Sequence, residues 1–183
     1  MFVKDVVLVA CEFLDKQDLY EKISSNENLS GDEQKDVDLL TNSFNNVWEE
    51  ICTEIFPIVK CEKFKTQNLK VSFQEFSTMP VSILAIKDCS GRKVRSKVLN
   101  DGIVAFANEI EVWYTVKPEN LSFESEFASH LPERVFAYGV AREFYIKKAL
   151  YKDASVWEER FKNSIEMLDR NKSARILMRR RWL

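Results

Sequence analysis

The sequence predicts an α+β protein: an antiparallel helical bundle of about four helices with an inserted small antiparallel β-sheet and an extended basic C-terminal tail. Three observations carry that expectation. Apolar residues recur every three or four positions near both ends of the 183-residue chain. Between those stretches the period falls to two, and turn residues punctuate short apolar runs. From Arg170 to Trp182 six basic side chains follow with no acidic one among them.

The elements follow in order. Helix one is expected over residues 3–23, because Val6, Val7, Ala10 and Leu14 share a helical face. Ser24 to Gly31 reads as a turn or loop by composition. Helix two, 32–56, has the most regular pattern: Val37, Leu40, Phe44, Val47, Ile51 and Ile55 form one seam. Ser30 or Asp32 can cap its start, and Pro57 stops it. The β-region, 61–118, begins with alternation at Leu69, Val71 and Phe73 and continues with the apolar run Val81 to Ile86. Lys93 to Val98 alternates; after the Asn100-Asp101-Gly102 turn come Ile103 to Ala107 and Ile110 to Val116. These make four or five short antiparallel strands joined by tight turns. A third helix, 132–151, starts at Pro132, and Ala137, Gly139 and Ala141 let a neighbouring helix approach closely. The last helix, 154–169, is expected to be capped by Asp153 and to bury Trp157, Phe161, Ser164 or Ile165, and Leu168. Glu158 with Lys162 and Glu166 with Arg170 are favourable i,i+4 pairs. Residues 1–169 thus read as one domain and 170–183 as a docking tail.

Composition narrows the function. The formal charge is −2, so the whole chain has no electrostatic reason to hold nucleic acid, and such a contact would have to come from a local patch. Cys11, Cys52, Cys61 and Cys89 are widely spaced without a C-x-x-C pair, which argues for reduced thiols rather than a zinc site. No segment reaches the roughly 20 apolar residues of a membrane span, and the first helix is broken by Lys4, Asp5 and Glu12. The expected compartment is cytoplasmic and reducing. His130, the one imidazole, stands in a loop and is read as an exposed or capping residue. Gly31, Gly91, Gly102 and Gly139 are too scattered for a phosphate-cradling loop. Glu49-Glu50 and Glu158-Glu159 fall on polar helix faces, where solvation explains them. No catalytic residue, cofactor or metal site is expected, and an enzyme is not predicted.

The tail is another matter. It mixes arginine with Ile176, Leu177, Met178, Trp182 and Leu183, which a purely solubilising extension does not need. Apolar anchors interleaved with arginine are the composition of a protein–protein hot spot. Docking into a partner is therefore preferred to the alternative, a DNA-binding accessory protein using the same arginines, because nothing elsewhere adds to a nucleic-acid footprint.

The segment Leu131-Pro132-Glu133-Arg134-Val135-Phe136-Ala137-Tyr138-Gly139-Val140-Ala141-Arg142-Glu143-Phe144-Tyr145, with Ala154 to Phe161, resembles the C-terminal helical pair of tailed-phage head–tail connector proteins. The helix-rich start and the strand end Glu111 to Pro118 are similar too. That resemblance implies a structural virion protein, a portal-proximal neck adaptor forming a ring, dodecameric in the family, that continues the portal channel and joins capsid to tail. It implies three partners: the portal protein, further copies of the chain, and the next neck or tail component. Double-stranded DNA would cross the lumen without sequence-specific binding, and no membrane would be involved. Carried over to this chain, portal docking falls to Arg175, Ile176, Leu177, Met178, Arg179, Arg180, Arg181 and Trp182. Contact with a neighbouring subunit or the next ring falls to Asp88, Ser90, Gly91, Arg92, Lys93 and Arg95.

Overall fold

The computed structural model describes residues 1–66 and 69–180, with side chains through Leu168. The chain divides into two compact units, one made of Met1–Trp48 and the chain from Asn120 onward, the other of Glu49–Glu119.

In the first unit, α1 (Val3–Phe13) and α2 (Gln17–Ser25) precede α3 (Gly31–Glu50); α4 (Glu133–Lys147) and α5 (Tyr151–Arg180) come after the β-region. The α+β class holds. The four-helix bundle does not: there are five α-helices among the described residues, three before the sheets and two after them. The expected first helix splits at Asp15, whose φ of 55° closes α1 in the left-handed region. The Lys16 amide then reaches back to the Cys11 carbonyl at 3.0 Å, and the Asp15 amide to Glu12 at 3.4 Å, which is Schellman geometry. Asn26 (φ 53°) ends α2 and Ala149 (φ 59°) ends α4 in the same way. None of the three closing residues is glycine. The last helix also departs from expectation. It starts at Tyr151, so Asp153 lies in its first turn rather than at its cap, and it runs on to Arg180 where an extended tail was expected after residue 169.

Ser30 is the start signal of α3. Its hydroxyl accepts from the Glu33 amide at 3.4 Å, and the Glu33 carboxylate accepts from the Ser30 amide at 2.8 Å, a reciprocal capping box. Lys22 of α2 donates to the same carboxylate at 2.6 Å. These bonds, Lys22 first and Ser30 after it, hold the Glu33 carboxyl down at about 2 against an ordinary 4.5. Because the folded value is the lower one, the stabilisation is complete above 4.5 and is lost as pH falls towards 2. Glu33→Gln is therefore expected to flatten the acid dependence of stability across that interval, read from denaturation midpoints at successive pH values.

The unit's core is built from faces the sequence marks. α1 buries Val3, Val6, Val7, Ala10 and Cys11; α3 buries Val37, Leu40, Phe44 and Val47. Phe44, Trp48, Phe127 and Phe136 pack ring to ring, with centroids 5.1–6.1 Å apart. The segment entering α4 is pinned by Asn45, whose side chain donates to the Leu121 carbonyl at 2.9 Å and accepts from its amide at 2.8 Å. Gly139 is where α4 meets α3: a Cβ there would stand 2.6 Å from Val47 Cγ1. Gly139→Ala gains about 1 kcal/mol of helix propensity but overpacks this contact at a cost of about 1–3 kcal/mol. A net loss of about 1 kcal/mol is expected in urea unfolding. Adding Val47→Ala should destabilise by less than the two single changes together.

The second unit begins where α3 widens into a π-helical turn, Ile51–Ile55, with the Phe56 amide bonded to the Ile51 carbonyl at 2.7 Å. Helix two thus ends as α-helix at Glu50 rather than running to residue 56. Six strands come next: β1 (Val59–Lys65), β2 (Lys70–Ser72), β3 (Pro80–Asp88), β4 (Ser96–Leu99), β5 (Gly102–Ala105) and β6 (Glu109–Val116). They form two three-stranded antiparallel sheets, β1-β6-β3 and β2-β5-β4, where one inserted sheet was expected. Val71, Ile103 and Ala105 of one sheet share a core with Ile86, Ile110, Val112, Tyr114 and Val116 of the other. That common core explains why a period-2 reading sees a single region: the inward faces of both sheets carry the same alternation. At Gly102 strand β2 lies so close to β5 that a Cβ would stand 2.3 Å from the Val71 carbonyl oxygen.

Candidate docking surfaces

On the first unit, the α4–α5 pair is organised around Arg142. Helical spacing puts it on the face of Val135 and Gly139, opposite the row Phe136, Val140 and Phe144; both faces are buried, and only 8% of the residue is exposed. Its guanidinium donates to Glu158 at 2.8 Å and to Glu143 at 2.9 Å. It also lies 5.2 Å over the ring of Phe161, itself 1% exposed. Burial raises the Glu158 carboxyl, but hydrogen bonds from Lys162 and Arg142 outweigh it and hold the group below the ordinary carboxylate range. The predicted Glu158–Lys162 pair is present at 2.7 Å. Above the charged cluster, an open groove of about 370 Å³ is lined by Ile146, Tyr151, Ala154 and Ser155. Along α5, Trp157 stacks on Phe13 at 5.1 Å and packs against Tyr138 at 5.9 Å.

This face changes character along α5. Ala154 and Phe161 are buried, Ile165 and Leu168 half-buried, and Met167 is 68% exposed. α4 has 15 residues and α5 has 30. At about 1.5 Å per residue these are rods of roughly 22 and 45 Å, so α4 can flank at most half of α5. The predicted docking residues Arg175, Ile176, Leu177, Met178, Arg179 and Arg180 fall on the second half of α5, with their side chains outside the described residues. Arg181 and Trp182 lie outside the described residues altogether, as does the side chain of Arg170, the expected partner of Glu166.

On the second unit the β3–β4 arm carries the other predicted residues, and they divide by role. Asp88 builds the turn. Its Oδ1 accepts from the Ser90 amide at 2.9 Å, the Ser90 hydroxyl at 2.6 Å and the Arg92 amide at 2.9 Å. The Ser90 hydroxyl first, with the Arg92 amide, holds the Asp88 carboxyl below its usual value. Gly91 occupies φ 82°, which L side chains rarely adopt. Asp88, Ser90 and Gly91 therefore shape the arm, and Arg92, Lys93 and Arg95 are the exposed side chains it presents. Arg95 lies 5.8 Å over Phe106, whose ring is 63% exposed.

Two features are not anticipated by the sequence reading. One is the Arg142–Glu143–Glu158 cluster; its signal is an arginine that directly follows the uncharged run Val135–Ala141. The other is the outward face of β6, where Lys87 lies 5.3 Å over the half-exposed Trp113. Deeper in that sheet, the Tyr114 and Ser77 hydroxyls both donate to Glu62, tying the loop before β3 to β1 and β6. Cys11 and Cys52 are buried on their apolar faces, and Cys61 and Cys89 are exposed. Among the described residues no group of three or more histidine, cysteine or acidic side chains could hold a metal ion, and no helix is long and apolar enough to cross a membrane.

No protein-family model and no curated protein matches this chain.

Proposed function

We propose that this chain is a subunit of a tailed-bacteriophage head–tail connector. Copies of it form a ring beneath the portal, extend the DNA channel and join capsid to tail, without catalysis. The observation that carries the proposal is the length of α5 against α4: a helix of 30 residues beside one of 15. The surplus half holds a run of basic and apolar residues with no acidic side chain after Asp169. A helix that outruns its own bundle with such a sequence needs an acceptor, because a lone helical segment of that size is marginal in water. In the proposed virion the acceptor is the portal protein, with the next neck or tail component on the opposite side of the ring. The overall charge of −2 suits a lumen through which duplex DNA slides without sticking.

The expected observation is a ring at the neck of purified particles when the subunit is labelled and imaged by negative stain. Label on the capsid shell or tail tip would contradict it. Duplex binding separates the DNA-binding alternative: an accessory factor would bind free DNA with an affinity that falls steeply with salt, whereas little binding is expected of the connector subunit.

A further inference from the structure

Two stretches of the chain, the β3–β4 arm and the N-terminal helices, carry opposite and unspent charge. From Lys87 to Lys97 the arm has five basic side chains against one acidic, and that one, Asp88, is engaged by its own turn. Arg92, Lys93, Arg95 and Lys97 are exposed, and none forms an ion pair among the described residues. Beside them β4 is an edge strand of its sheet, and Val98 and Phe106 are 50% and 63% exposed. Charged side chains keep such an edge from pairing with another strand, so what the arm offers a partner is its four unpaired cations rather than its backbone.

The stretch Met1–Trp48 is the reverse, with ten acidic side chains against four basic. Three of those four are consumed locally, Lys16 by Asp36 at 2.5 Å, Lys22 by Glu33 at 2.6 Å and Lys35 by Asp32 at 2.8 Å. Glu12, Asp15, Asp18 and Glu21 remain, spaced by three along the α1–α2 corner, exposed and without an ion pair among the described residues.

We infer that the arm of one copy docks on the α1–α2 corner of a second copy, Arg92, Lys93, Arg95 and Lys97 meeting Glu12, Asp15, Asp18 and Glu21. The occupant is a second copy because the chain itself supplies the complementary charge. The surfaces are unlike, so each contact is head-to-tail; unless two copies exchange it reciprocally, such a contact propagates into a ring or an open filament. The inference adds a lateral contact to the connector proposal but stands on the charge distribution alone, so the two fail separately.

Cys89 at the tip of the arm is an exposed native thiol and serves as the reporter. Gln17→Cys places a second thiol at the corner without touching its acids, and Cys61→Ser removes the other exposed one. At low salt, a short bis-maleimide should link these chains into dimers and a higher ladder. Adding Cys89→Ser should abolish the ladder, and about 1 M salt, where the screening length is about 3 Å, should suppress it. Arg92→Glu with Lys93→Glu should lower the yield by about tenfold or more. Asp18→Lys with Glu21→Lys, added to that charge-reversed chain, should restore it; circular dichroism checks that each variant is folded. An absent ladder, a ladder that survives Cys89→Ser, or a charge reversal that the reciprocal change does not rescue would each overturn the inference. So would a reversal that alters only affinity for duplex DNA, which would assign the arm to nucleic acid.

Discussion

Arg142→Ala is expected to destabilise the protein by about 3 kcal/mol, visible as a lowered denaturant midpoint with an unchanged slope. Removing one member of a buried ion pair typically costs about 3–5 kcal/mol, since the surviving charge is stranded. The lower end applies here. The Glu143 and Glu158 side chains are 16% and 30% exposed, so water relieves part of the penalty. The stacking on Phe161 is lost with the charge. By contrast, Lys162 is 67% exposed, and cutting its pair with Glu158 should cost only a few tenths of a kcal/mol. A combined replacement discriminates between the causes: Arg142→Met with Glu143→Gln and Glu158→Leu, which removes both stranded carboxylates, should recover most of the loss, because the damage comes from orphaned charge. If Arg142→Ala unfolds at the wild-type midpoint, the cluster does not join α4 to α5.

Much of this is legible in the sequence, for definable reasons. The seam Val37, Leu40, Phe44 and Val47 is long and strictly periodic, so burial can be read from spacing alone. The start of α3 is read as capped by Ser30 or Asp32, and the reciprocal bonds with Glu33 select Ser30. Gly139 reads as a site of close approach, and Val47 is what approaches it. The helix count is not legible, because α1 ends on left-handed Asp15 rather than on glycine; Asn26 and Ala149 close α2 and α4 in the same way, but at or near breaks the sequence already marks. Without a breaker, α1 and α2 read as one helix. The end of α5 misleads for a related reason: loss of the apolar stripe after Leu168 looks like loss of the helix, yet a helix continues through polar residues when propensity allows. The two sheets merge into one region because strand pairing is non-local; nothing near Val59 announces that β1 joins β6, fifty residues away, rather than β2. Among the candidate site residues, the resemblance points to the arm as a whole but cannot separate Asp88 and Gly91, which build the turn, from Arg92 and Lys93, which extend from it.

The role proposed for the chain turns on the far half of α5. Deleting Ser173–Leu183 removes eight of the 30 residues of that helix, from Ser173 to Arg180, and with them Arg181, Trp182 and Leu183. All the described core lies before the cut: Phe136, Val140 and Phe161 keep their partners. The truncated chain is therefore expected to melt as the full chain does, with a small loss of helical signal. It is also expected to lose its anchor, since basic and apolar side chains that are buried together at an interface tend to carry most of its energy. The decisive measurement mixes full-length and truncated protein, separately, with portal-bearing capsids and sediments the particles. Full-length chains should co-sediment and truncated chains should stay in the supernatant while remaining folded. Truncated chains that join the particles as well as full-length ones would show that α5 is not the coupling element.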